Sequence, residues 1–122
     1  MCSSVPAVCD REEIEYDYYH IDKKFLPIDD KYMEENEYLY VVNFYGQLSN
    51  ENIEELKRRY NRIIVDNAHA FFQKPVDGID TIYSCRKFFG VPDGAYLSTD
   101  CLLDIGLKLD ISEERISHIY GR

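Results

Sequence analysis

The chain has 122 residues, 45% of them apolar, which suits a globular fold with a core of its own. Its net charge of -9 contains no strongly basic stretch. Nucleic-acid backbone binding, which needs clustered Lys and Arg, is excluded as an expectation. No apolar segment is long enough to span a bilayer and no signal-peptide pattern opens the chain, so a cytoplasmic protein is expected.

The four cysteines, Cys2, Cys9, Cys85 and Cys101, form no Cys-x-x-Cys pair and have no histidine at zinc-ligand spacing. Reduced thiols and no metal site are expected. The acidic runs Asp10 to Glu15 and Asp29 to Glu37 read as solvated surface. The 11 tyrosines suit half-buried sheet positions, with rings inside and hydroxyls near water.

In chain order, residues 1–15 carry no clear pattern. Tyr16 to Ile21 (YDYYHI) is aromatic and predicts a strand. Asp22 to Asp30, with Pro27, predicts a loop, and Asp29 to Asn36 a short helix. Tyr38 to Tyr45 (YLYVVNFY) is a nearly unbroken apolar run, as in a strand buried on both faces. Gly46 ends it.

Ser49 or Asn50 can cap a helix, with Ile53, Leu56 and Tyr60 at helical spacing on one stripe. Lys57, Arg58 and Arg59 fall near its end, where cations favour the helix dipole. Arg62 to Asp66 (RIIVD), Asp80 to Ser84 (DTIYS) and Ala95 to Ser98 predict three further strands. The tail from Asp100 to Gly121 predicts a helix broken near Asp110 and Ser112. Strand, helix, strand in succession is the pattern of a parallel α/β sheet with crossover helices. Ligands of such sheets bind outside the carboxyl ends of the strands. That rule directs attention to Asn43, Asp66, His69, Ser84 and Lys87.

Each of these residues has a bland reading and a chemical one. Asp66 ends an apolar strand, where an ionised carboxylate is costly without a cationic partner such as a protonated pyridine nitrogen. It also suits a turn cap. His69 could donate to a phenolic oxygen or stack on a ring, or be an ordinary loop histidine. Asn43 could bond that same oxygen or form a turn. Ser84 could bond a phosphate oxygen. Lys87 could attack an aldehyde, provided its amine is held neutral. Gly90 and Gly94 allow close backbone approach in the following turn.

The run Ile63 to Thr99 resembles the fold-type I, pyridoxal-phosphate-dependent aminotransferases of the aspartate aminotransferase superfamily. Within that superfamily the run looks like the DegT/DnrJ-type sugar aminotransferase branch. Asp66-Asn67-Ala68-His69 is similar to that branch's Asp-x-Ala-His strand end, and Lys87, Asp93 and Gly94 match the spacing around its Schiff-base lysine. Asn43-x-x-Gly46 resembles the superfamily's Asn-Pro-Thr-Gly turn, with Phe44 and Tyr45 in the middle. Ser84 stands three residues before Lys87, as in aspartate aminotransferases; the sugar branch carries its serine where Ile82 stands.

The resemblance implies a three-layer, mostly parallel sheet with crossover helices and an antiparallel last strand, forming an incomplete transferase large domain over residues 1–122. It implies pyridoxal 5'-phosphate as cofactor, Lys87 as the Schiff-base residue, Asp66 at the pyridine nitrogen, His69 beside the ring, and Ser84 and Asn43 as further cofactor contacts. It implies amino transfer from a small amino donor to a keto acceptor, with a sugar as one such acceptor. The family's glycine-rich phosphate turn and its small domain lie outside the match, so little turnover is expected of this chain alone. A homodimer, or a separately encoded aminotransferase half, is the macromolecular partner expected. The other reading is a non-catalytic remnant or partner-binding module derived from an aminotransferase.

Overall fold

The apolar run beginning at Leu39 becomes strand β1, Leu39–Val42, in the computed structural model, which describes residues 3–28, 33–103 and 106. The strand is shorter than Tyr38 to Tyr45. Asn43 leaves the strand conformation and Phe44–Gly46 forms two overlapping tight turns kinked at Tyr45. Tyr45 (φ 56°) and Gly46 (φ 67°) both take left-handed backbone there. Glycine does this freely; tyrosine does so at a cost of about 1 kcal/mol.

The chain divides into two compact units, 1–31 and 32–122. In the first, helix α1 spans Ser4–Arg11, where the sequence shows no clear pattern. Tyr16 to Ile21, expected as a strand, pairs with no strand among the described residues. Irregular backbone leads instead to an isolated antiparallel bridge between Ile21 and Pro27. Asp22 organises that reversal, because its Oδ1 accepts hydrogen bonds from the amides of Lys24 and Leu26. A strand without a partner leaves its amides unpaired within a sheet, so its aromatic composition alone does not make it one.

The second unit holds the sheet. Helix α2, Asn50–Tyr60, follows the turn after β1 and is capped by Ser49. The Ser49 Oγ accepts from the Asn52 amide at 3.3 Å, and the Asn52 Oδ1 accepts from the Ser49 amide at 3.1 Å. This reciprocal box satisfies two amides that no helical carbonyl can reach. Ile53, Leu56 and Tyr60 form the buried stripe of α2, which packs on strand β2, Ile63–Asp66. Strands β3, Asp80–Ser84, and β4, Ala95–Ser98, complete a sheet of order β1-β2-β3-β4. The first three are parallel and β4 is antiparallel to β3.

The register puts Leu39 beside Ile63, Val41 beside Val65 and Val65 beside Thr81. These residues are buried together with Tyr83. The alternate residues, Tyr40, Val42, Ile64, Asp66 and Ile82, are only half-buried. The protein is therefore an α/β fold on a mixed four-stranded sheet. Among the described residues, α2 is the helix that packs on it. A second helical layer, expected from the resemblance, is not among those elements.

Two other expectations differ from the structure. Residues 33–36, expected to close a short helix, instead turn, with the Glu37 amide donating to the Glu34 carbonyl. Residues 29–32 lie outside the described residues. The predicted tail helix has no helical residue over 100–103, and nearly all of its remainder lies outside the described residues. No helix of the described residues is long and apolar enough to cross a membrane.

Candidate active site

The loops that leave the carboxyl ends of β1, β2 and β3 meet at one cleft. It has a volume of about 230 Å³ and is lined by Tyr45, Ala68, His69, Lys87 and Phe88. Each loop brings its residues there for a local reason. Tyr45 is presented by the left-handed step before Gly46. A Cβ on Gly46 would lie 3.6 Å from the Ala70 Cβ, so that turn packs directly on the loop bearing His69. Lys87 closes the 3-10 turn Cys85–Lys87, which begins where β3 ends. The Cys85 amide donates to the Gly94 carbonyl at 2.9 Å, and Gly94 at φ 105° returns the chain into β4.

His69 is held by rings. Tyr45 stacks on it with centroids 5.5 Å apart and planes at 28°. Phe44 meets it nearly edge-on at 6.3 Å. Its Nδ1 is buried and has no hydrogen-bond partner among the described residues. Such an atom is uncommon in a folded protein and favours a ligand that supplies the missing partner.

Asp66 lies outside the lining of the cleft. Its Oδ1 accepts from the Ala68 amide at 2.8 Å and its Oδ2 from the Tyr40 hydroxyl at 3.0 Å. The partners here are a phenol and an amide rather than a cation. The first bond is the turn cap that the sequence also allowed. A carboxylate has about four lone-pair positions, so capacity remains for a further donor.

Asn43 is fully buried and its amide points into the protein. Its Nδ2 donates to Asn67 Oδ1 at 3.0 Å, to Gln73 Oε1 at 2.9 Å and to the Leu48 carbonyl at 3.4 Å. Its Oδ1 accepts from the Leu48 amide at 2.9 Å. This side chain ties the β1 turn to the loop that carries His69, a positioning role. Gln73 extends the network to the Leu48 carbonyl and Asn50, and its own carbonyl accepts from the Tyr83 hydroxyl at 2.9 Å. Burial holds the Tyr83 phenol above its ordinary 10.0, with a hydrogen bond to Asn67 partly opposing. Ser84 ends β3 and does not line the cleft.

The structure thus brings together His69 and Lys87, and sets Asp66, Ser84 and Asn43 around rather than on the cleft walls. Tyr45, Tyr40 and Gln73 carry contacts that sequence reasoning passed over. Tyr45 had a signal, an exposed aromatic one step before a glycine turn. Gln73 had none, because its partners are far along the chain. Among the described residues no group of three His, Cys, Asp or Glu side chains could hold a metal. Cys9, Cys85 and Cys101 are free thiols. No family model, no curated protein and no solved structure matches this chain.

Proposed function

We propose that this chain is a segment of an aminotransferase-type pyridoxal-phosphate domain, in which Lys87 captures the cofactor's aldehyde. The observation that supports this reading is the shared cleft of Lys87 and His69 at the carboxyl ends of parallel strands. The mixed sheet with its antiparallel last strand agrees with the large-domain arrangement that the sequence resemblance implies. The three-layer form of that domain belongs to this proposal.

The residues present fit the aldehyde side of such a cofactor. The cleft offers an amine, a buried imidazole nitrogen without a described partner, and aromatic walls. When bound, the cofactor supplies an aldehyde that takes the amine and a ring that withdraws electrons. Lys87 holds the aldehyde carbon and His69 places a polar atom beside the ring. Asp66 controls ring charge only if it accepts a donor beyond Tyr40 and Ala68. The cleft is smaller than the roughly 300 Å³ at which ligand pockets usually begin. It therefore holds one ring, not a cofactor and an amino acceptor together, and amino transfer by the chain alone is not expected.

Incubation with pyridoxal phosphate, borohydride reduction and peptide mass mapping tests the reading. The expected result is one adduct, on Lys87, lost in Lys87→Ala. An adduct spread evenly over Lys23, Lys24, Lys57 and Lys74 would sink it. A partner-binding module is the second reading. It is favoured by the exposed aromatic surface of Phe72, Phe88, Phe89 and Tyr96 beside the cleft. A homodimer or a separately encoded half of a transferase is the partner proposed, with a small amino donor and keto acceptor as its substrates.

A further inference from the structure

We infer that His69 is held as the tautomer with its proton on Nε2, and that this N–H bonds the oxygen of a carbonyl ligand whose carbon Lys87 attacks. The inference rests on reading the Lys87–His69 cleft as a site of carbonyl capture. It names the ligand class more broadly: small aldehydes, with or without a pyridine ring. Its basis is the surroundings of the two imidazole nitrogens, which decide where the proton sits. Nδ1 is buried and has no hydrogen-bond partner among the described residues. Phe44, whose ring lies 6.3 Å from the imidazole, brings no acceptor to it. A proton on Nδ1 would be a buried donor with nothing to accept it. Buried N–H groups without an acceptor are rarer in folded proteins than acceptors short of a donor. Nε2 differs. It makes no hydrogen bond among the described residues and is not one of their buried unpartnered atoms, so it keeps accessible surface. His69 lines the cleft together with Lys87, and Nε2–H is the polar group it offers there.

An amine and an N–H donor on one cleft suit one type of reaction. The neutral Lys87 amine bonds the carbonyl carbon, and the π pair of the C=O bond moves to oxygen. His69 Nε2–H stabilises that charge by a hydrogen bond and keeps its own proton. Both amine hydrogens then leave with the oxygen as water, and a C=N bond to Lys87 remains. No step uses a ring on the ligand. Tyr45, Ala68 and Phe88 add apolar walls, and a volume of about 230 Å³ limits the ligand to a small one.

Two measurements on the full chain test this. Long-range proton–nitrogen correlation NMR at about pH 8, where an ordinary histidine is neutral, reads which imidazole nitrogen carries the proton. The chain has three histidines, and the His69 signals are those lost in His69→Phe. A proton on Nε2 and a bare Nδ1 are expected. A proton on Nδ1, or the tautomer mixture of the urea-unfolded chain, overturns the inference. The second measurement is the rate of Lys87 labelling by propionaldehyde, which has no ring, with cyanoborohydride trapping and peptide mass mapping. Lys57, which does not line the cleft, is the internal reference. His69→Phe keeps a ring and removes the donor, and should slow Lys87 labelling about tenfold, the effect of one hydrogen bond. His69→Gln, whose amide nitrogen can stand in for Nε2, should restore most of the rate. His69→Leu is the second donor-free variant if the phenylalanine protein folds poorly. Unchanged Lys87 labelling in the donor-free variants overturns the inference, and so does a His69→Gln protein as slow as they are. Donor-dependent labelling by propionaldehyde without a Lys87 adduct from pyridoxal phosphate leaves the inference standing and removes the cofactor reading. A pyridoxal phosphate adduct without propionaldehyde labelling does the reverse.

Discussion

Asn43 shows how one side chain can hold a site that it does not touch. Its amide is buried and makes contacts to Leu48, Asn67 and Gln73. Asn43→Ala leaves several of those groups buried without a partner, each costing about 1–3 kcal/mol. We expect a loss of about 2–4 kcal/mol in urea unfolding, with His69 exchange broadening in NMR as its loop loosens. A loss under half a kcal/mol would mean that water replaces the amide. Asn43→Asp is a sharper variant, since a carboxylate cannot donate to Asn67 or Gln73.

Tyr83 gives a pH prediction at the same scale. Its phenol is held above 10.0 in the folded chain. The unfolded chain therefore ionises first as pH rises, and binds fewer protons than the native state in that window. The stability that Tyr83 contributes is full below its ordinary value and declines as pH climbs from there through the raised one. Chemical denaturation between pH 8 and pH 11 should show this decline, and Tyr83→Phe should flatten it. An identical alkaline slope in both proteins would assign the effect to other tyrosines.

At the level of elements, α2 is the best-specified piece. Ser49→Ala removes one half of the capping box and should cost about 1 kcal/mol. Leu56→Ala removes a side chain that is 4% exposed between helix and sheet. It should cost about 2–5 kcal/mol, several times the cap. Thermal unfolding of the two variants checks the ratio as well as the signs. If the cap substitution proves the larger, α2 is not seated on the sheet as described. The hairpin from β3 to β4 depends on its two ends. Gly94 stands at φ 105°, a backbone conformation that side chains rarely adopt, so the turn that presents Lys87 needs glycine there.

At the scale of the molecule, the sheet ends at β4 among the described residues. Among the described residues β4 pairs with β3 alone, contains neither charge nor proline, and exposes Tyr96 and Leu97. Neutral edges of this kind pair with other chains unless something opposes it. The net charge of -9 is the opposing force, and salt screens it over about 8 Å at physiological strength. Self-association should therefore grow with salt, and Leu97→Lys should suppress it. Sedimentation velocity over a range of salt and protein concentrations measures this. A single sedimenting species under every condition would show that the edge is covered.

Local chemistry was enough to determine several features from the sequence. Ser49, the stripe of Ile53, Leu56 and Tyr60, and the apolar runs ending at Asp66 and Ser84 each act through neighbours a few residues away, so they are legible in the order of the chain. The tertiary structure decided the rest. Tyr16 to Ile21 has strand composition, but only a neighbouring strand could make it one, and among the described residues its pairing is the isolated bridge of Ile21 to Pro27. Asn43, Asp66 and Ser84 stand at strand ends as expected, yet which way each side chain acts depends on Gln73, Tyr40 and the register with β4. Those partners are remote in sequence and adjacent only after the sheet forms. The meeting of Lys87 with His69 has the same origin: parallel strands place their carboxyl ends side by side, and no local pattern encodes the distance between them.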